Sequence, residues 1–163
     1  MNQVTPNLQP VALGAFNTHV ELSYPKYDTW EGSTNAEVAK KRSLTRERVT
    51  VKVQQKTVDD YFPQIGTKAT LMKLDTEGNE LSVLQGATET LRENRPMIIF
   101  ECDAEGQRTE VFDFLVSQNY MIFHLPWTPA AETRAITGSQ FVASSSKNFI
   151  AIPIQSLLEN GAN

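Results

Sequence analysis

At 163 residues the chain has the length of a single domain. Asp and Glu total 19 against 15 Lys and Arg, a formal charge of −4, which argues against the clustered cations of a nucleic-acid surface. A hydrophobic share of 40% with 21% charged residues excludes a polar, unfolded chain, and the single cysteine, Cys102, excludes an internal disulfide. The first residues lack the basic and apolar regions of a secretory signal, and no apolar run approaches the roughly 20 residues of a membrane span. A cytoplasmic protein with no nucleic-acid or membrane partner is expected.

The opening third reads as strands and loop. Leu8 to Leu13 is a short apolar run closed by Gly14, and His19 to Tyr24 alternates with the period of a strand. Residues 25–48 break into Gly, Ser, Thr, Asn and charge, which predicts a long flexible loop. Val49 to Val53 alternates again, and Thr57 precedes Val58-Asp59-Asp60 as a helix cap with acids in the first turn.

Beyond residue 70 the pattern sharpens. Leu71-Met72-Lys73-Leu74-Asp75 predicts a strand that ends on an acid. Leu81, Leu84, Ala87 and Leu91 form the apolar stripe of one helix, stopped by Arg95 and Pro96. Met97 to Glu101 is a continuous apolar run, again ending on an acid, and predicts a strand buried on both faces in a parallel sheet. A helix with Val111, Phe112, Leu115 and Val116 on one face follows, then strands at 120–125 and 149–152. Alternating strands and helices of this kind call for parallel crossovers in an α/β fold.

In an open parallel sheet, ligands bind at the carboxyl ends of the strands, which singles out Asp75 and Glu101. Asp75, Glu77 and Glu80 crowd one strand-to-helix turn, and Gly78 lets that turn be tight. Two plainer readings stay open: the acids complement a helix dipole, or their oxygens hold a divalent cation as in a metal-dependent hydrolase. His19 and His124 sit in strand patterns and read as surface or packing residues. Cys102 reads as a structural thiol. Trp30 and Trp127 lie in loop-like context, where they could pack or line a sugar site.

The run Lys73-Leu74-Asp75-Thr76-Glu77-Gly78-Asn79-Glu80, continued by Leu84, Gly86-Ala87, Pro96 and Ile98-Ile99-Phe100-Glu101, resembles the FkbM-type S-adenosylmethionine-dependent methyltransferases. Thr57-Val58-Asp59-Asp60, Pro10 to Gly14 and Asn148 to Pro153 resemble flanking elements of that family. The resemblance implies a Rossmann-like class I methyltransferase sheet, S-adenosylmethionine as cofactor, and O-methylation of a sugar or secondary-metabolite hydroxyl. Carried over residue by residue, it implies catalytic roles among Asp75, Glu77, Glu80 and Glu101. Cofactor contacts fall to Ala12, Leu13 and Asp75, with Ser33 and Thr34 matching a small-residue stretch. No metal site is implied.

The resemblance spans a single partial domain over 1–163 and only the carboxyl-terminal part of the family's domain. The first glycine is Gly14, after the third-strand match, so the opening strand–helix–strand unit with its Gly-rich cofactor loop and ribose-holding acid is expected to be missing. The strand at 71–74 would then present an unpaired edge prone to self-association, and Leu8 to Leu13 would lose its sheet partner. The chain alone is expected to bind S-adenosylmethionine weakly or not at all and to be inactive. The alternative is a non-catalytic binding remnant of a methyltransferase fold.

Overall fold

A computed structural model describes residues 6–27, 29, 32–43, 47–65, 68–103, 107–128 and 133–160. Its strands are β1 (Ala12–Leu13), β2 (Thr18–Pro25), β3 (Arg48–Lys56), β4 (Leu71–Leu74), β5 (Met97–Glu101), β6 (Tyr120–His124) and β7 (Asn148–Pro153). Its helices are α1 (Ala36–Ser43), α2 (Val58–Tyr61), α3 (Glu80–Gln85), α4 (Thr88–Asn94), α5 (Arg108–Ser117), α6 (Gly138–Ala143) and α7 (Ile154–Asn160), with a 3-10 turn at Phe62–Ile65. The strands form two mixed sheets, β1-β3-β2 and β4-β5-β7-β6, in a mixed α/β architecture.

The four-stranded sheet carries the core. β4 and β5 run parallel with Leu74 beside Phe100, while β7 is antiparallel to both β5 and β6. Ile98, Phe100, Phe149 and Ala151 face Val83, Leu84, Leu91, Val111, Leu115 and Phe141 from the helices. On the other face Phe123, Ile150 and Ile152 pack with the half-buried Ile99, Trp127 and Leu157. Trp127 lies 6.0 Å from the Phe123 ring and packs against the sheet while staying half-buried. Trp30 falls outside the described residues.

The expectation of parallel strands holds for β4 and β5 and fails at β7. Every residue of β7 after Asn148 is buried, yet it is antiparallel to both neighbours. Cover on both faces, not strand direction, produces a continuous apolar run. β5 is less buried than its run suggests: Met97 is 39% exposed because it sits beside Leu71 of β4, itself 53% exposed. Among the described residues β4 pairs only with β5 and is an edge strand, as the sequence led us to expect.

Three local expectations change. Leu8 to Leu13 does not lose its partner: Ala12 and Leu13 of β1 pair in parallel with Gln55 and Lys56 of β3. The stretch 25–48 is not a continuous loop, since it contains α1, whose first turn is held by Asn35 Oδ1 accepting from the Glu37 and Val38 amides. The single helix expected over Leu81 to Leu91 is two, α3 and α4, broken at Gly86. A Cβ on Gly86 would lie 2.1 Å from the Gly14 carbonyl oxygen, so the chain breaks where it abuts the residue just past β1. The stripe survives the break, with Leu84, Ala87 and Leu91 fully buried.

Caps set the remaining helices. Thr57 accepts from the Asp60 amide at 3.1 Å and starts α2, as its sequence predicts. Asp59 does more than face the dipole of its own helix. Its carboxylate accepts from the Glu89 and Thr90 amides at 2.9 and 2.8 Å and caps α4 from across the fold. α6 opens with a reciprocal Thr137–Gln140 capping box. Among the described residues no helix is long and apolar enough to cross a membrane.

Candidate functional site

The turn after β4 is built around a buried acid. Glu80, only 6% exposed, folds back so that its Oε1 accepts from the Thr76 amide (2.9 Å), the Thr76 hydroxyl (2.9 Å) and the Gly78 amide (3.3 Å). Two successive residues take positive φ, Glu77 at 56° and Gly78 at 94°. Such backbone persists only where the surroundings hold it. Ser33, 1% exposed, donates its hydroxyl to the Glu77 carbonyl at 2.9 Å, and Asn35 donates its side-chain amide to the Gly78 carbonyl at 2.8 Å. A Cβ on Gly78 would approach Val38 Cγ2 to 2.9 Å, so α1 lies directly on the turn.

The same turn reaches the second sheet. Asn79 donates to the Leu13 carbonyl at 3.2 Å, and Ser82 Oγ accepts from the Ala15 amide at 3.0 Å. The ends of β1 and β4 are thereby held around one cleft of about 470 Å³. Its lining is mostly apolar on the β1 side, where Val11, Ala12 and Leu13 meet Leu22 and Val53 of the hairpin, and polar on the β4 side at Asp75, Thr76 and Asn79. None of the described residues lining it is cationic.

Asp75 stands at the mouth, its carboxylate paired with Lys73 Nζ at 2.7 Å. Glu101, at the end of the neighbouring β5, does not line the cleft but is close enough to Asp75 to feel its charge. Its carboxyl is raised above its ordinary value by burial, then by the charges of Asp75, Asp103 and Glu77, with Lys147 opposing. Lys147 Nζ in turn pairs with Asp103 at 2.6 Å, which holds the ammonium above its ordinary value.

The structure therefore brings Ala12, Leu13 and Asp75 to one cleft; Glu77 and Glu101 do not line it, although Glu101 feels the charges of Asp75 and Glu77, and Glu80 is committed to the turn itself. Sequence reasoning gave no role to Asn79, Leu22 or Val53, although Asn79 sits inside the acid-rich motif. Thr34, singled out only as part of a small-residue stretch, lines the cleft. Among the described residues no group of three or more His, Cys, Asp and Glu side chains is placed to hold a metal ion. Burial pushes the Cys102 thiol up to about 11, which leaves it inert at neutral pH. His124 packs on Phe149, with ring centroids 5.5 Å apart.

β4 and β5 are parallel, each strand ends at an acid, and the cleft lies at the end of β4 within a mixed α/β fold. The chain matches the family described as the methyltransferase FkbM domain over residues 2–122, well over half its length, and it belongs to that family. No curated protein and no solved structure gives a significant match.

Proposed function

We propose that the cleft between β1 and β4 receives S-adenosylmethionine and that the acidic rim beside it serves methyl transfer to a hydroxyl of a small molecule, a sugar or secondary metabolite. The observation that carries this is the placement of Asp75 at a strand end, on the polar wall of a cleft whose other wall is Ala12 and Leu13. The fit is good for one part of the cofactor. The apolar strip of Val11, Ala12, Leu13, Leu22 and Val53 suits a flat heterocycle, and Asp75 suits a cation. When bound, the cofactor supplies an electrophilic methyl group on a positively charged sulfur.

The chain's own residues then have distinct tasks. Asp75, with Glu77 and Glu101 nearby, makes the rim acidic and favours a sulfonium over its neutral thioether product. Glu101, whose carboxyl is the more basic for its setting, is suited to take the proton that the hydroxyl loses as the new carbon–oxygen bond forms. Glu80 shapes the turn that aims Asp75, Thr76 and Asn79. Alignment, rather than covalent help, is what such a displacement asks of a site.

A second reading, a non-catalytic binding remnant of the fold, is favoured by one observation: among the described residues no cationic side chain lines the cleft to hold the carboxylate of the cofactor's methionine part. One experiment separates the two. The chain is incubated with millimolar S-adenosylmethionine and a panel of sugars and alcohols, and thioether release is measured for the parent, Asp75→Asn and Glu101→Gln. Acceptor-dependent release lost in both variants supports the enzyme. A folded chain that neither binds the cofactor nor releases the thioether supports the remnant. Binding unchanged by Asp75→Asn contradicts both.

A further inference from the structure

Arg108, the first residue of α5, is an oddity by elementary electrostatics: a cation at the electropositive end of a helix, and only 2% exposed. Its guanidinium nevertheless has ample partners. Nη1 donates to the carbonyls of Phe141 (2.9 Å) and Ser144 (2.6 Å), and Nη2 to those of Cys102 (2.9 Å) and Ser146 (2.6 Å). Nε adds the Asp103 carbonyl at 3.2 Å. The group also lies over the Phe141 and Phe149 rings, 5.6 and 5.4 Å from their centroids. Among the described residues every hydrogen-bond acceptor it uses is a backbone carbonyl.

Those carbonyls belong to two segments that meet at the rim. One is Cys102–Asp103, directly after Glu101 at the end of β5. The other runs from the end of α6 to Ser146, directly before Lys147 and β7. The Cys102 amide also donates to the Lys147 carbonyl at 2.8 Å, closing the two segments on each other. We propose that Arg108 is a positioning residue of the candidate site: its caged guanidinium fixes the two segments that hold Asp103 and Lys147 beside Glu101. An exposed ion pair such as Lys147–Asp103 is too weak to do this alone. A buried cation bound to carbonyls of both segments ties them together whatever the state of that pair.

The importance of this for function rests on reading the rim as the catalytic edge, so the test reports geometry and titration rather than turnover. The groups facing Glu101 are Asp75 and Glu77 from the β4–α3 turn, Asp103 after β5 and Lys147 before β7. The carboxyl titration of Glu101 and the amide dynamics of residues 144–147 are followed by NMR in the parent, Arg108→Lys, Arg108→Met and Asp103→Asn. Leu115→Ala, a core truncation elsewhere in α5, serves as the destabilised control. With Arg108 replaced, residues 144–147 loosen and the Glu101 titration falls toward its ordinary range, because Asp103 raises it more than Lys147 lowers it. Leu115→Ala leaves both readings at parental values. Asp103→Asn leaves residues 144–147 ordered, since the cage and not the ion pair holds them. The proposal is overturned if the Arg108 variants fold with both readings unchanged. It is equally overturned if Asp103→Asn alone releases residues 144–147, an outcome that remains decisive should neither Arg108 variant fold.

Discussion

Removing the Glu80 side chain is the most informative single perturbation of the turn. In Glu80→Ala the amides of Thr76 and Gly78 and the Thr76 hydroxyl all lose their shared acceptor, and a side chain only 6% exposed leaves a void. Hydrogen bonds to a charged acceptor contribute about 1.5–3 kcal/mol each when buried. Here the donors are half-buried and share one oxygen, so water recovers part of the loss, and the expected cost is about 2–4 kcal/mol. For a domain of this size that is a fall in Tm of roughly 4–16 °C. Glu80→Gln keeps an amide oxygen in the acceptor position and exchanges charged for neutral hydrogen bonds, at about 1 kcal/mol. Thermal unfolding followed by circular dichroism reads both. If Glu80→Ala melts within about 1 °C of the parent, or Glu80→Gln is as damaging as Glu80→Ala, the turn is not held by this acceptor and the reasoning fails.

Other perturbations follow from the same geometry. Gly86→Ala places a methyl 2.1 Å from the Gly14 carbonyl oxygen and costs about 1–3 kcal/mol in urea unfolding, because backbone rather than a flexible side chain must yield; unchanged stability would mean that α3 does not abut the end of β1. Ser33→Ala removes the hydroxyl that binds the Glu77 carbonyl, so hydrogen exchange at residues 77–79 and at the start of α1 rises together, whereas a rise at only one would break the proposed link. The carboxyl of Glu101 is raised above 4.5, so between that value and its folded value the native state binds the proton more tightly than the unfolded chain, and stability falls as pH rises through that window. Glu101→Gln is therefore more stable than the parent at pH 7, and the gap closes by about pH 4, where both states hold the proton. A gap that widens on acidification would reverse the assigned direction.

The four strands of the main sheet and the acid turn were legible because their signals are local. Apolar runs at 71–74 and 97–101 end abruptly on acids, and Gly78 permits the φ of 94° that the turn needs. Much of what escaped depends on distant partners. The α3–α4 break at Gly86 is set by Gly14, more than 70 positions earlier in the chain, while the apolar stripe alone favours one helix. The parallel pairing of Ala12 with Gln55 leaves no trace in either segment. α1 has almost no apolar face beyond Val38 and is stabilised by Asn35 and by the turn it covers, although Asn35 offered a capping signal. α6 likewise carried a readable box in Thr137 and Gln140. Arg108 is the extreme case: its sequence position argues against it, and only the converging carbonyls of two remote segments explain it.

The central claim is that the methyl donor enters between the ends of β1 and β4. An amide NMR titration of the 163-residue chain with S-adenosylmethionine, run beside its thioether product, tests it most directly. Weak, fast-exchanging binding with a Kd on the order of 1 mM is expected. Shifts should concentrate at Ala12, Leu13, Asp75, Thr76 and Asn79, be smaller for the thioether, and be lost in Asp75→Asn. Shifts that instead cluster elsewhere, such as the groove between α5 and α6, or an unaltered spectrum at cofactor concentrations well above that Kd, would contradict it.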